Sequence, residues 1–176
     1  MNKSWIANGF TAANALFGGL SIMMSISGEY HVAAICILIA MAADAFDGRV
    51  ARALGTAGPM GVELDSLSDD ISFGVAAGAL MYSYQLRELG AFGFIPCALL
   101  GAFCAFRLAR FNVKVTSVHG YFEGLPCPTV GVIIACYVLS GVKIWNWLAM
   151  VCVLALAVLM VSEVLIDNKD ASADQS

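Results

Sequence analysis

Apolar runs of about twenty residues follow one another along almost the whole of this chain, and that limits what it can fold into. In lipid a backbone must satisfy its own hydrogen bonds, so such runs are expected as helices. Crossing the hydrocarbon core takes ~20 apolar residues. Six spans are expected on that basis, near 6–26, 31–54, 62–84, 91–113, 127–143 and 145–166. The breaks carry turn chemistry: "SGEY", "GTAGPMG" and "RELGAFG" follow the first three runs. The longest polar interruption is "KVTSVHGYFEGLPCP", Lys114 to Pro128, and the fifth span is short, its border with the sixth falling at "SGVKIWN". Of the 176 residues only 12% are charged, about half the fraction of a soluble domain. The first run lacks a basic leader followed by a cleavage site and reads as a retained span. The expected fold is an all-α membrane protein: residues 1–166 form one transmembrane catalytic domain, and the polar tail 167–176 is disordered.

The basic residues set the orientation. Six spans put both termini on one side with the second and fourth loops, collecting Lys3, Arg49, Arg52, Arg107, Arg110, Lys114 and Lys169. The other side keeps only Arg87 and Lys143, so both termini are expected in the cytoplasm, with a bacterial cytoplasmic membrane as the setting. No basic cluster suits nucleic acid. The six cysteines lie in apolar runs without a CxxC pair and read as small buried hydrophobes, and His31 and His119 read as surface residues.

Against this apolar background, "DAFDGRVARALGTAGPMGVELDSLSDD" gathers five of the chain's eight aspartates. Asp44 and Asp47 are three apart and share a helix face, and Asp65 and Asp69, four apart, do the same. The pairs are mirror-placed about a turn near residue 56, so a hairpin closing there brings four carboxylates to one depth. Asp70 points ~100° away from Asp69 and reads as structural. Carboxylates this close repel unless protonated or bound to cations, and their oxygens select hard ions such as Mg²⁺, Mn²⁺ or Ca²⁺. Gly48, Ala51, Gly55, Gly58 and Gly61 leave backbone bare beside the acids, and Arg52 suits an anion. Metal-binding carboxylates, an arginine and open backbone together suit a pyrophosphate. A carrier of divalent cations would use the same aspartates, but transporters show repeats and broken helices that this sequence lacks.

The order Asp44-x2-Asp47-Gly48-x2-Ala51-Arg52-x8-Gly61-x3-Asp65-x3-Asp69 resembles the signature of the CDP-alcohol phosphotransferases, every position filled. The resemblance implies a six-helix membrane enzyme, a homodimer, that displaces CMP from a CDP-linked lipid with an alcohol and uses divalent metal. By the same resemblance Asp44, Asp47 and Asp65 would hold two Mg²⁺ or Mn²⁺ ions. Asp69 would contribute to the second ion and act as general base, while Gly48, Ala51, Arg52 and Gly61 would lie along the CDP moiety.

Further stretches narrow the resemblance. "NGFTAANALFGG" in the first span, "SFGVAAG" (Ser72–Gly78), "RLARFN" (Arg107–Asn112) and "YFEGLPCPTVG" (Tyr121–Gly131) are similar to the membrane-embedded phosphatidylserine synthases. That subfamily implies CDP-diacylglycerol and L-serine as substrates. Two departures are Ala76-Ala77, where Ala-Pro is frequent, and Asp70, where an apolar residue is common. Serine presents a carboxylate and an ammonium beside its hydroxyl, so Arg107 and Arg110 are candidates for the first, with Asn112 and Glu123 for the remaining polar groups. Asn8, Thr11 and Asn14 share a face of the first span and are candidates for nucleotide contact or for hydrogen bonds between helices. Glycerol phosphate or an inositol phosphate as acceptor, or serine with an ether-linked CDP-lipid as in an archaetidylserine synthase, would use the same chemistry.

Overall fold

The computed structural model describes residues 4–54, 58–114 and 124–162; within these, the side chains of residues 4–8, 50–54, 59 and 114 are not described. The expected turn at residue 56, His119, Glu123 and the tail 167–176 therefore lie outside the described residues.

Helix α1 (Ser4–Ile26) turns back into α2 (Tyr30–Leu54) through Gly28, whose φ of 84° is a conformation that a residue with a side chain rarely takes. These two form the most extensive helix pair of the fold. Helix α3 (Pro59–Asp69) starts on a proline, whose missing N–H costs nothing at a first helical position. It runs on through a π-helical turn (Asp70–Val75) into α4 (Ala76–Tyr84). There the Ala76 N–H reaches back five residues to the Ile71 carbonyl, the mark of an inserted residue. After a 3₁₀ turn (Leu86–Leu89) come α5 (Ala91–Lys114), α6 (Cys127–Leu139) and α7 (Asn146–Val161).

Lipid offers helices no hydrophobic incentive to associate, so close packing of small side chains must do the work. Ala33, Ala34, Ala40, Ala76, Ala77, Ala135, Ala149 and Ala157 are all fully buried, around a fully buried Phe73. A methyl added at Gly18 of α1 would collide with Ser72, and one at Gly131 of α6 would lie 2.7 Å from the Phe73 ring. Leu16, Met23, Ile26, Phe92 and Phe94 face outward. At the end of the bundle away from the aspartates, Gln85 donates to Asn146 Oδ1 (3.1 Å) and accepts from the Tyr137 hydroxyl, tying the end of α4 to α6 and to the start of α7.

The helices differ from the six expected spans at the third and at the fifth. Among the described residues three helical windows are long and apolar enough to cross a membrane: Gly9–Ile26, Tyr30–Arg49 and Ala91–Val113. The expected third span is helical over its length, but its π turn breaks it into shorter pieces. The fifth ends at Leu139 and not at 143, because the chain turns at Gly141 with a φ of 66°. Its 13 residues rise only about 20 Å. Four cysteines are buried as expected, but Cys136 and Cys152 are exposed on α6 and α7.

Candidate active site

Two helix faces supply the acids. Asp44 and Asp47 project from α2 one turn apart, and Asp65 and Asp69 from α3 likewise. One carboxylate oxygen each from Asp44, Asp47 and Asp65 lie within 4.8 Å of one another. Asp44 also lies within hydrogen-bonding reach of Asp65 and Asp69, so all four carboxylates meet. The expected convergence is present, yet not as a packed hairpin. Among the described residues α2 and α3 make almost no direct backbone approach, and α1 packs on both. The acids stand in the gap that this leaves.

Helix α1 sets the carboxylates. Asn14, fully buried, donates from Nδ2 to Asp69 Oδ1 at 3.0 Å. Thr11 and the Gly48 amide hydrogen-bond the Asp47 carboxylate. Ser72, in the π turn just past Asp69, donates to the Asn14 carbonyl at 2.9 Å, and Gly18 lets α1 approach closely enough for that bond. Thr11 and Asn14 thus form hydrogen bonds between helices, the second of the two roles that their spacing allowed.

The donor set fits a hard divalent cation. Asp47 Oδ2 and Asp65 Oδ1 are buried and find no hydrogen-bond donor among the described residues. Two unit charges 4.8 Å apart repel by about 3.5 kcal/mol at an effective dielectric of ~20, so three such carboxylates stay ionised together only with a counter-charge. Oxygen-only ligation suits Mg²⁺, Mn²⁺ or Ca²⁺. Asp70 faces the other way, its Oδ1 beside Gly74 and its carboxylate within reach of the Cys104 thiol. It takes no part in the cluster.

The remaining candidates fall unevenly. Arg107, half-buried on α5, donates from Nη1 to Cys127 Sγ at 3.7 Å, and Cys127 lies close to Asp69. Arg107 Nε is buried without an acceptor among the described residues. Arg110 lies over the Phe106 ring at 5.6 Å. Asn112 donates to Ser66 Oγ at 3.0 Å, linking α5 to the residue after Asp65. Gly48 and Gly61 are half-buried. The side chains of Asn8, Ala51 and Arg52, and all of Glu123, lie outside the described residues. Sequence reasoning missed Ser66, Ser72 and Cys127. The one signal available was the polar stripe Thr11–Asn14 running on to Gly18, which marks a face packed on something polar.

The CDP-alcohol phosphatidyltransferase profile matches residues 4–166. This chain belongs to that family. Its similarity to a CDP-diacylglycerol–serine O-phosphatidyltransferase of Helicobacter pylori is 37% identity over 137 residues, 77% of this chain and 58% of that relative. The chain therefore spans less than two thirds of that relative's length. A protein of the same name from Bacillus subtilis is 38% identical over 122 residues, covering 69% of this chain and 68% of its own. An archaetidylserine synthase of Methanothermobacter thermautotrophicus is 38% identical over 153 residues, 86% of this chain and 64% of that protein. A membrane protein of this family with an acidic cluster suited to divalent metal is thus what the sequence and the fold establish together.

Proposed function

We propose that this CDP-alcohol phosphatidyltransferase family member transfers the phosphatidyl group of CDP-diacylglycerol to the hydroxyl of L-serine, releasing CMP. The observation that carries the reading is the four-carboxylate cluster with Asp69 held by Asn14. The names of the Helicobacter and Bacillus relatives support serine as acceptor, and the archaeal relative leaves the lipid linkage open.

In this reading Asp44, Asp47 and Asp65 hold two divalent ions, Mg²⁺ or Mn²⁺, with Asp69 contributing to the second, and ions bound there would offset the charge collecting on the pyrophosphate oxygens. Asp69 takes the proton of the serine hydroxyl as its oxygen bonds to the lipid-side phosphorus. The bond from that phosphorus to the bridging oxygen breaks, and its electron pair leaves with CMP. The Asn14 hydrogen bond fixes one Asp69 oxygen and leaves the other for the acceptor proton. Gly48, Ala51, Arg52 and Gly61 line the CDP moiety, with Asn8, Thr11 and Asn14 behind it. Arg107 and Arg110 take the serine carboxylate, and Asn112 and Glu123 its other polar groups. The buried, unsatisfied Arg107 Nε supports that assignment, since a buried guanidinium N–H wants an anionic acceptor.

The same reading makes residues 1–166 one catalytic domain of six spans in a homodimer. The outward apolar faces support it, and the excess of basic residues in the loops expected on the aspartate side favours a cytoplasmic site and cytoplasmic termini. Purified protein given CDP-diacylglycerol and Mn²⁺ or Mg²⁺ should release CMP with serine and not with glycerol 3-phosphate or an inositol phosphate. Release without serine, or only with a phosphorylated acceptor, would overturn the choice of acceptor. Comparing ester- and ether-linked CDP-lipids identifies the donor.

A further inference from the structure

A cleft of about 660 Å³ lies at the opposite end of the bundle from the aspartates, between the end of α1, α4 and the first half of α5. Helices α1 and α5 both pack on α4 but hardly on each other, so the cleft opens outward between them. Its inner walls are apolar, with Ile22, Val75 and Ala98 among them, and its size lies within the ~300–1,000 Å³ of ordinary ligand sites. At its end stand Arg87 and the hydroxyl-bearing Tyr82 and Ser83.

Arg87 is exposed and makes no ion pair among the described residues, and Glu88 beside it accepts from Asn146 Nδ2 at 2.8 Å. The other basic residue at this end, Lys143, sits over the Tyr84 ring with its ammonium 4.8 Å from the centroid. Among the described residues Arg87 is thus the cation without a side-chain partner at this end, and it caps an apolar slot that opens outward. That pattern of charge matches a diacyl phospholipid, with its phosphodiester at Arg87 and an acyl chain along α4.

We propose that this cleft is a binding site for an anionic phospholipid of the leaflet opposite the active site, separate from the CDP-lipid site. The proposal rests on the membrane-spanning reading and not on which alcohol the enzyme accepts.

Full-length protein, delipidated in mild detergent and titrated with phosphatidylglycerol without CDP-lipid, metal or serine, gives the test by native mass spectrometry. Arg87→Gln should weaken binding about fivefold, the factor matching the ~1 kcal/mol of one basic residue at an anionic lipid surface. Ala98→Phe, which fills the cleft, should weaken it at least as much. Ala105→Phe, outward on α5 but outside the cleft, should leave it unchanged. Unchanged binding in Arg87→Gln and Ala98→Phe overturns the site, and equal loss in Ala105→Phe reduces it to general lipid coating. A shift in oligomeric state by Ala98→Phe at constant lipid affinity assigns the cleft to a second copy and also refutes the proposal. Because the assay contains no substrate, failure of serine-dependent turnover leaves its outcome untouched.

Discussion

Replacing Asp47 with asparagine should make the metal-free protein more stable while weakening its response to metal. Asp47 belongs to two of the three carboxylate pairs lying within 4.8 Å. At an effective dielectric of ~20 each ionised pair repels by about 3.5 kcal/mol, so at a pH where all three are ionised neutralising Asp47 relieves at most about 7 kcal/mol. Screening by bulk water is the opposite extreme, and the same arithmetic then leaves about 2 kcal/mol. The asparagine keeps an oxygen to accept from Thr11, and its new N–H₂ replaces the unsatisfied Oδ2 with a donor aimed at Asp44 or Asp65. For a chain of this length ~1 kcal/mol moves the melting midpoint by roughly 2–4 °C, so the metal-free variant should melt at least about 4 °C above wild type. Thermal unfolding in detergent, with EDTA and then with saturating Mn²⁺, reads both terms. Wild type should gain strongly from Mn²⁺ and Asp47→Asn much less. A metal-free variant that melts at or below wild type, or one that keeps the full Mn²⁺ shift, refutes the idea that these carboxylates are mutually strained and wait for a cation.

Asp69→Asn should reduce CMP release by at least about 100-fold, the lower range of general-base contributions, while CDP-lipid binding by equilibrium dialysis stays near wild type; unaltered turnover removes Asp69 as base. Gly18→Ala should cost about 1–3 kcal/mol by overpacking, because the added methyl meets the Ser72 side chain and backbone. It should also depress turnover by shifting α1, which carries Thr11 and Asn14, and a variant with normal stability and activity would show that the contact between α1 and the π turn is slack.

The short-range periodicities were legible. A spacing of three or four residues puts two carboxylates on one helix face whatever the tertiary fold, so Asp44 with Asp47 and Asp65 with Asp69 could be paired from the sequence. The apolar runs likewise marked where helices lie, to within a few residues for α1, α2 and α5. Other features needed partners from afar. Asn14 and Asp69 are separated by 55 positions and Asn14 and Ser72 by 58, and no local pattern encodes such a pairing. The π turn was hidden for a related reason. It changes which face α4 presents, and the approach of α1 to Ser72, of α6 to Phe73 and of α5 to Gly74 makes that face the buried one.

That this chain is a set of apolar helices with four acids grouped on two of them follows from local order alone, because helix rise and side-chain period are properties of the local backbone. Packing between distant helices, in contrast, sets α2 and α3 apart with the acids between them, lets α1 clamp two of those acids, and leaves a cleft at the far end. Those outcomes depend on how closely small residues let distant helices approach, and that distance is set jointly by both surfaces.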